Sequence, residues 1–195
     1  MTTLILASGS PRRREILENL GYTVCRLPAD IDETPRHNES PHDYVLRLAC
    51  EKNRTIAATR QDLPIVSADT SVVLSNEILG KPESPKHAEQ MLLQLSGKAH
   101  QVLTGVCVSW QGKELSVVQA NEVFFKPLST QEIRQYIATG EPMDKAGAYG
   151  IQGLASVFIS HLSGSFSGVM GLPVFETVQM LRECGVGLPA LDCAI

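Results

Sequence analysis

The chain has 195 residues, of which 43% are hydrophobic and 19% are charged, a balance that excludes wholesale disorder and is typical of an α/β protein. This length is enough for one domain with a substantial core. The formal net charge of −4 excludes the broad basic footprint that sequence-independent binding to nucleic acid requires, so any functional positive charge must be local.

Strand and helix patterns alternate along the chain, which predicts an α/β sheet flanked by helices. The first half predicts a strand at 4–7, a helix at 11–20, a strand at 23–27, a long helix from Ser40-Pro41, a strand in "LPIVSADTSVVL" and a hairpin through Ser75-Asn76. The second half predicts a helix from Ser84-Pro85, strands at 102–110 and 115–125, a helix headed by Ser129, a strand near 157–159 and a last helix after Gly171-Leu172-Pro173. No repeat or linker divides the chain, so we expect one domain over residues 1–195.

Two absences in the sequence indicate where the protein works. No apolar run approaches the roughly 20 residues that span a bilayer, and no signal peptide is recognisable, so we expect a cytoplasmic protein without a membrane partner. The cysteines are odd in number and scattered, without a C-x-x-C pair. They are Cys25, Cys50, Cys107, Cys184 and Cys193. We expect reduced, mostly buried thiols, which leaves little for a disulfide framework or a zinc site.

The turn "SGSP" between the first strand and the first helix is a candidate phosphate site. Backbone N–H groups and the positive end of the helix dipole favour an anion there, and Arg12 and Arg13 add guanidinium groups that suit phosphate oxygens. The alternative is structural, because Ser10 can cap the helix while the arginines are solvated.

Carboxylates and lysines supply the other half of a metal and phosphate site. Asp69 interrupts an apolar strand, where a carboxylate must be satisfied by buried donors or hold a metal or a water. The loop "DIDE" offers Glu33, and Lys52 and Lys81 could neutralise phosphate charge. Glu33, Lys52 and Lys81 could instead be solvated side chains.

The glycine-rich tract "KAGAYGIQG" could let backbone approach a flat ligand. Gln152 carries an amide donor and acceptor that could pair with the edge of a nucleobase. A purely structural turn is the alternative.

Eight segments in order resemble the Maf family of nucleotide pyrophosphatases, from about residue 4 to residue 183. They are "LASGSPRRREIL", "DIDE", "EKNR", "SADTSVV", "LGKP", "LSGKAHQVLTGV", "DKAGAYGIQG" and "GLP". The resemblance implies a mixed, elongated twisted sheet flanked by helices, related to the inosine triphosphate pyrophosphatases. It also implies a homodimer that hydrolyses a nucleoside triphosphate to the monophosphate and pyrophosphate with a divalent cation, Mg²⁺, Mn²⁺ or Co²⁺.

The resemblance implies residue roles by motif position. Catalytic roles fall on Asp69, Glu33, Lys52 and Lys81, with Asp69 as proton acceptor and with Glu33 and Asp69 as metal ligands. Phosphate binding falls on Ser8, Arg12 and Arg13, and base specificity on Arg12, Thr70 and Gln152. Threonine after Asp69, together with "KAGAYGIQG", is similar to the branch that hydrolyses dTTP and UTP, a house-cleaning activity.

Two other functions fit the same residues. A nucleotidyltransferase also binds a triphosphate at a turn that contains glycine and arginine, and it also releases pyrophosphate. A non-catalytic nucleotide sensor would bind nucleotide and act on a partner, since the family has been linked to cell-division arrest. Pyrophosphate release with water as the only acceptor distinguishes hydrolysis from both.

Overall fold

The fold is described for residues 2–192 of a computed structural model, and Cys193 lies outside this range. The strands are β1 Thr3–Leu6, β2 Thr23–Arg26, β3 Ile65–Leu74, β4 Glu77–Leu79, β5 Ala99–Trp110, β6 Lys113–Phe125 and β7 Ile159–Ser163. The helices are α1 Pro11–Asn19, α2 Pro41–Ala57, α3 Pro85–Leu95, α4 Thr130–Ala138, α5 Phe166–Met170, α6 Val174–Glu183 and α7 Pro189–Asp192. Within these residues, no helix combines the length and apolarity needed to cross a membrane.

The strands form one mixed sheet in the order β2-β1-β3-β5-β6-β7, with β4 beside β3. Strand β1 runs parallel to β2 and β3, whereas the remaining neighbours are antiparallel. This confirms the predicted α/β class and the mixed, twisted sheet flanked by helices.

Three helices begin at the same local signal, a serine followed by proline. The hydroxyls of Ser10, Ser40 and Ser84 each accept a hydrogen bond from the backbone N–H three residues later, and the proline occupies the first helical position. Such a cap satisfies an N–H that has no partner within the helix, while proline has no N–H to satisfy. These predicted helix starts are confirmed.

The prediction failed near the C-terminal part of the sheet. Residues Leu154–Phe158 form a 3-10 helix, and the strand expected near 157–159 lies at Ile159–Ser163. Helix α5, which was not predicted, follows that strand and is only five residues long. Short elements such as these have too few residues to set a hydrophobic period, so tertiary contacts decide their conformation.

Strand β3 has a gap along one of its two edges. On that side β1 pairs with Ile65 and Val66, and β4 pairs with Val72–Leu74. Residues Ser67–Ser71 lie between these two partners. On the other side the ladder with β5 runs without interruption from Ile65 to Val73. Asp69 and Thr70 therefore lie beside an opening in the sheet while their strand stays fixed.

Gly105 lets helix α2 approach the sheet directly opposite Asp69. It pairs with Asp69 in the β3-β5 ladder, and a Cβ atom built at Gly105 would lie 2.3 Å from the backbone oxygen of Val45 in α2. The glycine is thus required by close packing, since any side chain would push the helix outward.

We expect Gly105→Ala to lower the free energy of unfolding by about 1–3 kcal/mol, because the added methyl group overpacks backbone that cannot rotate away. Urea denaturation followed by circular dichroism measures the change. Gly80→Ala is the matched control, since a Cβ atom there meets nothing within 4 Å. Equal unfolding midpoints for Gly105→Ala and the wild type would contradict the close-packing argument.

Candidate active site

One cavity of about 880 Å³ contains every candidate residue from the sequence analysis. Its lining includes Ser8, Arg12, Arg13, Glu33, Lys52, Asp69, Thr70, Lys81 and Gln152. The volume lies within the roughly 300–1,000 Å³ typical of small-molecule sites. These residues come from six separate parts of the chain, and they lie together around the opening beside β3.

Arg13 connects the first turn to the rest of the cavity. Its Nε donates to the carbonyl oxygen of Gly171 at 2.7 Å, Nη1 donates to Ser8 Oγ at 2.9 Å, and Nη2 donates to Thr70 Oγ1 at 3.0 Å. Burial lowers the pKa of Arg13, against the attraction of the Asp69 carboxylate. Arg13 is therefore held in place from three directions, which a solvated surface arginine would not be.

The neighbours of Arg13 behave differently. Arg14 is exposed and pairs with Glu18 one turn later at 2.7 Å, as expected for a surface residue. Arg12 lines the cavity from the first turn of α1. Ser10 caps this helix, so the structural and the phosphate-binding interpretations of the turn are compatible.

Lys52 lies between two carboxylates. Its Nζ is 2.7 Å from Asp69 Oδ1 and 2.7 Å from Glu33 Oε1. The side chain of Lys52 is only 10% exposed because α2 packs over β3. The solvated alternative is thus wrong for Lys52, whereas Glu33 remains 55% exposed. Asp69 is 13% exposed and has a buried donor, the Lys52 ammonium group, as one of its two predicted alternatives required.

Thr70 belongs to a chain of hydrogen bonds with a defined direction. The hydroxyl of Thr104 donates to the carbonyl oxygen of Gly168 at 2.9 Å, so its only proton is committed. Thr70 Oγ1, 3.0 Å from Thr104 Oγ1, must then be the donor of that pair, and it also accepts from Arg13. The hydroxyl of Thr70 therefore fixes the position of Arg13. Sequence reasoning missed Thr104, which has no local signal.

Tyr44 anchors the loop that carries Glu33. Its hydroxyl donates to the carbonyl oxygen of Glu33 at 2.9 Å. Burial, followed by the carboxylates of Asp69 and Glu33, raises the pKa of Tyr44 to about 12, so this donor stays protonated at neutral pH. Arg47 supports the same loop by donating to the carbonyl oxygen of Thr34 at 3.2 Å. Tyr44 was not among the site residues predicted from the sequence.

Glu141 holds the glycine-rich tract. Its Oε1 accepts from the Tyr136 hydroxyl at 2.9 Å, and its Oε2 accepts from the backbone N–H of Leu154 at 2.9 Å. A Cβ atom at Gly153 would lie 2.2 Å from the same carboxylate, so a side chain there would displace Glu141 from these contacts. This contact fixes the backbone beside Gln152, which is exposed at the cavity. Lys81 is also exposed at the cavity.

The carboxylates of Glu33 and Asp69 fit a divalent cation. Both carboxylates contact the Lys52 ammonium group through one oxygen each, so they lie close enough together for their remaining oxygens to bind a single cation beside Lys52. Oxygen ligands of this kind suit Mg²⁺ or Mn²⁺, which in nucleotide sites are also bound by phosphate oxygens.

Comparison with known proteins identifies the family. Residues 3–184 match the family described as Maf-like protein. The chain belongs to the Maf family. A Neisseria meningitidis relative named dTTP/UTP pyrophosphatase is 55% identical to this Maf chain and covers 97% of it, with 98% of the relative aligned. A Haemophilus ducreyi relative named nucleoside triphosphate pyrophosphatase is 52% identical over 94% of this chain and 95% of its own length.

A solved structure resembles this Maf chain in fold. A HAM1 protein from Coxiella burnetii superposes with a TM-score of 0.52 at 15% sequence identity, covering 94% of this chain and 100% of its own. At this identity the likeness concerns the fold alone. It agrees with the fold that the Maf resemblance implied.

Proposed function

We propose that this cleft hydrolyses dTTP and UTP to the nucleoside monophosphate and pyrophosphate. The observation that carries the proposal is the Asp69–Lys52–Glu33 cluster, which shares one cavity with the arginine-bearing start of α1. Relatives that align over nearly the whole chain are named for this reaction, which supports the same substrates here.

In the proposed reaction, Asp69 accepts a proton from a water molecule that attacks the α-phosphorus. A bond forms between the water oxygen and phosphorus, the bond to the bridging oxygen breaks, and pyrophosphate leaves with that electron pair. Lys52, 2.7 Å from Asp69 Oδ1, orients the carboxylate toward the cavity. A general base placed in this way contributes about 10²–10⁴-fold to the rate.

Phosphate charge is stabilised by donors elsewhere in the same cleft. Ser8, Arg12, Arg13 and Lys81 line it and can donate to phosphate oxygens. Electrostatic stabilisation of this kind supplies most of the catalysis in phosphoryl transfer. A divalent cation bound by Glu33 and Asp69 would neutralise part of the remaining phosphate charge.

Base selection is assigned to Arg12, Thr70 and Gln152. Gln152 is exposed at the cavity on backbone that Glu141 fixes, which suits recognition of the edge of a base. Because the hydroxyl of Thr70 is committed to Arg13 and Thr104, we propose that Thr70 acts on specificity through the position of Arg13.

Replacing Gln152 with alanine should lower kcat/KM for dTTP and UTP by roughly 3- to 10-fold, the value of one hydrogen bond of about 0.5–1.5 kcal/mol. Discrimination against purine triphosphates should fall with it. Pyrophosphate release from each nucleotide measures both changes. Gln90→Ala, an exposed glutamine on α3, is the control. Unchanged discrimination in Gln152→Ala would remove Gln152 from base selection.

Pyrophosphate release with water as the only acceptor tests the reaction itself. We expect dTTP and UTP to yield the monophosphate and pyrophosphate with Mg²⁺, Mn²⁺ or Co²⁺, and a chelator to abolish release. Release that requires a second substrate would indicate a nucleotidyltransferase. Nucleotide binding without release under any of these cations would indicate the sensor that regulates cell division.

The proposal extends to assembly and location. The family resemblance supports a homodimer, and the substrates proposed here support a cytoplasmic location, where nucleotide triphosphate pools are found. Sedimentation velocity, with a monomer mass of 21.2 kDa as reference, tests the first of these. Fractionation of cells tests the second.

A further inference from the structure

Two cysteines and a glutamate meet between α2 and the β5-β6 hairpin, outside the cleft. Cys107 of β5 pairs with Ser116 of β6, and Glu114 lies two residues before Ser116. Because side chains alternate along a strand, the register places Cys107 and Glu114 on the same face of the sheet. Cys50 comes from α2, whose Asn53 donates to the carbonyl oxygen of Cys107 at 3.1 Å and so fixes the helix over this face.

The ligand atoms of the three residues are close enough to share one ion. The two sulfur atoms and a carboxylate oxygen of Glu114 all lie within 4.8 Å of one another. Cys107 is fully buried, Cys50 is 8% exposed, and the side chain of Glu114 is 35% exposed. The cluster therefore opens to solvent past Glu114. None of the three residues lines the nucleotide cleft.

The charges at the cluster favour a cation. A hydrogen bond with Cys107 lowers the pKa of Cys50, which favours the thiolate form of this residue. The same contact, together with burial, raises the pKa of Cys107, so the pair retains one proton between its two sulfurs. An ion that binds both sulfurs has to displace this proton.

Arg54 holds Glu114 from the solvent side. Its Nε and Nη2 donate to the two carboxylate oxygens at distances of 2.6–3.1 Å. Metal-binding carboxylates are commonly held by such a second hydrogen-bonding partner, which fixes the orientation of the ligand. Arg54 can keep one oxygen while the other binds an ion.

We propose that Cys50, Cys107 and Glu114 form a binding site for a soft divalent cation of the zinc class, separate from the cation of the nucleotide cleft. Thiolate ligands select Zn²⁺ or Cd²⁺ and disfavour Mg²⁺, whereas the oxygen ligands of Glu33 and Asp69 have the opposite preference. Two thiolates and a carboxylate supply three ligands, and water completes a tetrahedral set. Binding releases the shared thiol proton to solvent, with no change in the oxidation state of sulfur.

Occupation of this site would join α2 to the β5-β6 hairpin. Helix α2 also carries Lys52, so the ion would stabilise the packing of a helix on which the cleft depends. A ligand that binds only the folded state raises the midpoint of thermal unfolding with its concentration. We therefore expect Zn²⁺ to raise the Tm of the full-length protein.

Titration of the reduced, metal-free protein with Co²⁺ tests the site. Thiolate ligation of Co²⁺ gives a sulfur-to-metal charge-transfer absorption in the near ultraviolet, which oxygen ligands in the cleft cannot produce. We expect this absorption to saturate at one equivalent and to disappear when Zn²⁺ is added. Cys50→Ser should abolish the absorption, and Glu114→Gln should weaken Co²⁺ affinity on the order of 10-fold.

Cys25→Ser and Cys184→Ser are matched controls, because these cysteines lie outside the cluster and should leave the absorption unchanged. Cys50 is preferred over the fully buried Cys107 as the variant, and circular dichroism checks that it folds. If Cys50→Ser does not fold, the Zn²⁺-dependent rise in Tm is compared between the wild type and Glu114→Gln. No absorption in the folded wild type, or an equal absorption in Cys50→Ser, would overturn the proposal, as would an equal rise in Tm in Glu114→Gln.

Discussion

Replacing Asp69 with asparagine is expected to lower kcat for dTTP and UTP by about 10²–10⁴-fold, while KM changes far less. Asparagine keeps the shape of the side chain but cannot accept a proton from the attacking water. Lys52 retains its contact with Glu33, 2.7 Å away, so the positive charge beside residue 69 stays paired. Steady-state pyrophosphate release, with nucleotide binding measured separately by calorimetry, separates the two effects.

Asp62→Asn provides the control for the Asp69 variant, since Asp62 is an exposed carboxylate that pairs with Arg60 away from the cleft. Its turnover should equal that of the wild type. Near-normal turnover in Asp69→Asn would exclude Asp69 as the proton acceptor. A loss of nucleotide binding equal to the loss of turnover would indicate that Asp69 acts in binding instead.

Replacing Arg13 with lysine should lower kcat/KM by about 10²-fold, although the positive charge is kept. The guanidinium of Arg13 donates in three directions, to Gly171, Ser8 and Thr70, and an ammonium group at the end of a flexible chain cannot reproduce that geometry. Hydrogen bonds from a charged group are worth about 1.5–3 kcal/mol each, so the loss of one or two accounts for this change.

Arg14→Lys is the matched control for Arg13→Lys, because it makes the same change at the next residue of the same helix. Arg14 is exposed and contacts only Glu18 among the pairs described for it, so kcat/KM should stay within twofold or so of the wild type. Equal losses in the two variants would point to the charge of the helix start rather than to the contacts of Arg13. A wild-type rate in Arg13→Lys would contradict the argument.

Features with a local cause could be predicted from the sequence. The serine-proline caps of α1, α2 and α3 depend on adjacent residues. The hairpin turns do as well, since Asn76 and Gly112 adopt the positive φ values of 69° and 79° that two-residue turns need. The mixed order of the sheet came from the family resemblance, because hydrophobic periodicity does not specify which strands are neighbours.

Features that depend on contacts between distant parts of the chain could not be predicted. The burial of Lys52 follows from the packing of α2 on β3. The role of Tyr44 depends on a hydrogen bond from its hydroxyl to the carbonyl oxygen of Glu33, which only the folded structure brings into contact. Cys50 and Cys107 are 57 positions apart in the sequence and meet only in the folded structure. Motifs for metal ligands are defined by short spacings and do not include such a pair. The scattered cysteines therefore gave no reason to expect a site.

The unpaired edge of β3 at Ser67–Ser71 affects the conformational entropy that is lost when substrate binds. Asp69 and Thr70 belong to a strand whose other edge is paired from Ile65 to Val73. Their backbone is therefore already ordered before a ligand binds, unlike the backbone of a flexible loop. We expect the entropy lost on nucleotide binding to come mainly from the exposed side chains of the cavity, Glu33, Lys81 and Gln152. The proposed proton acceptor is therefore preorganised, and we expect only the groups that contact the nucleotide to become ordered on binding.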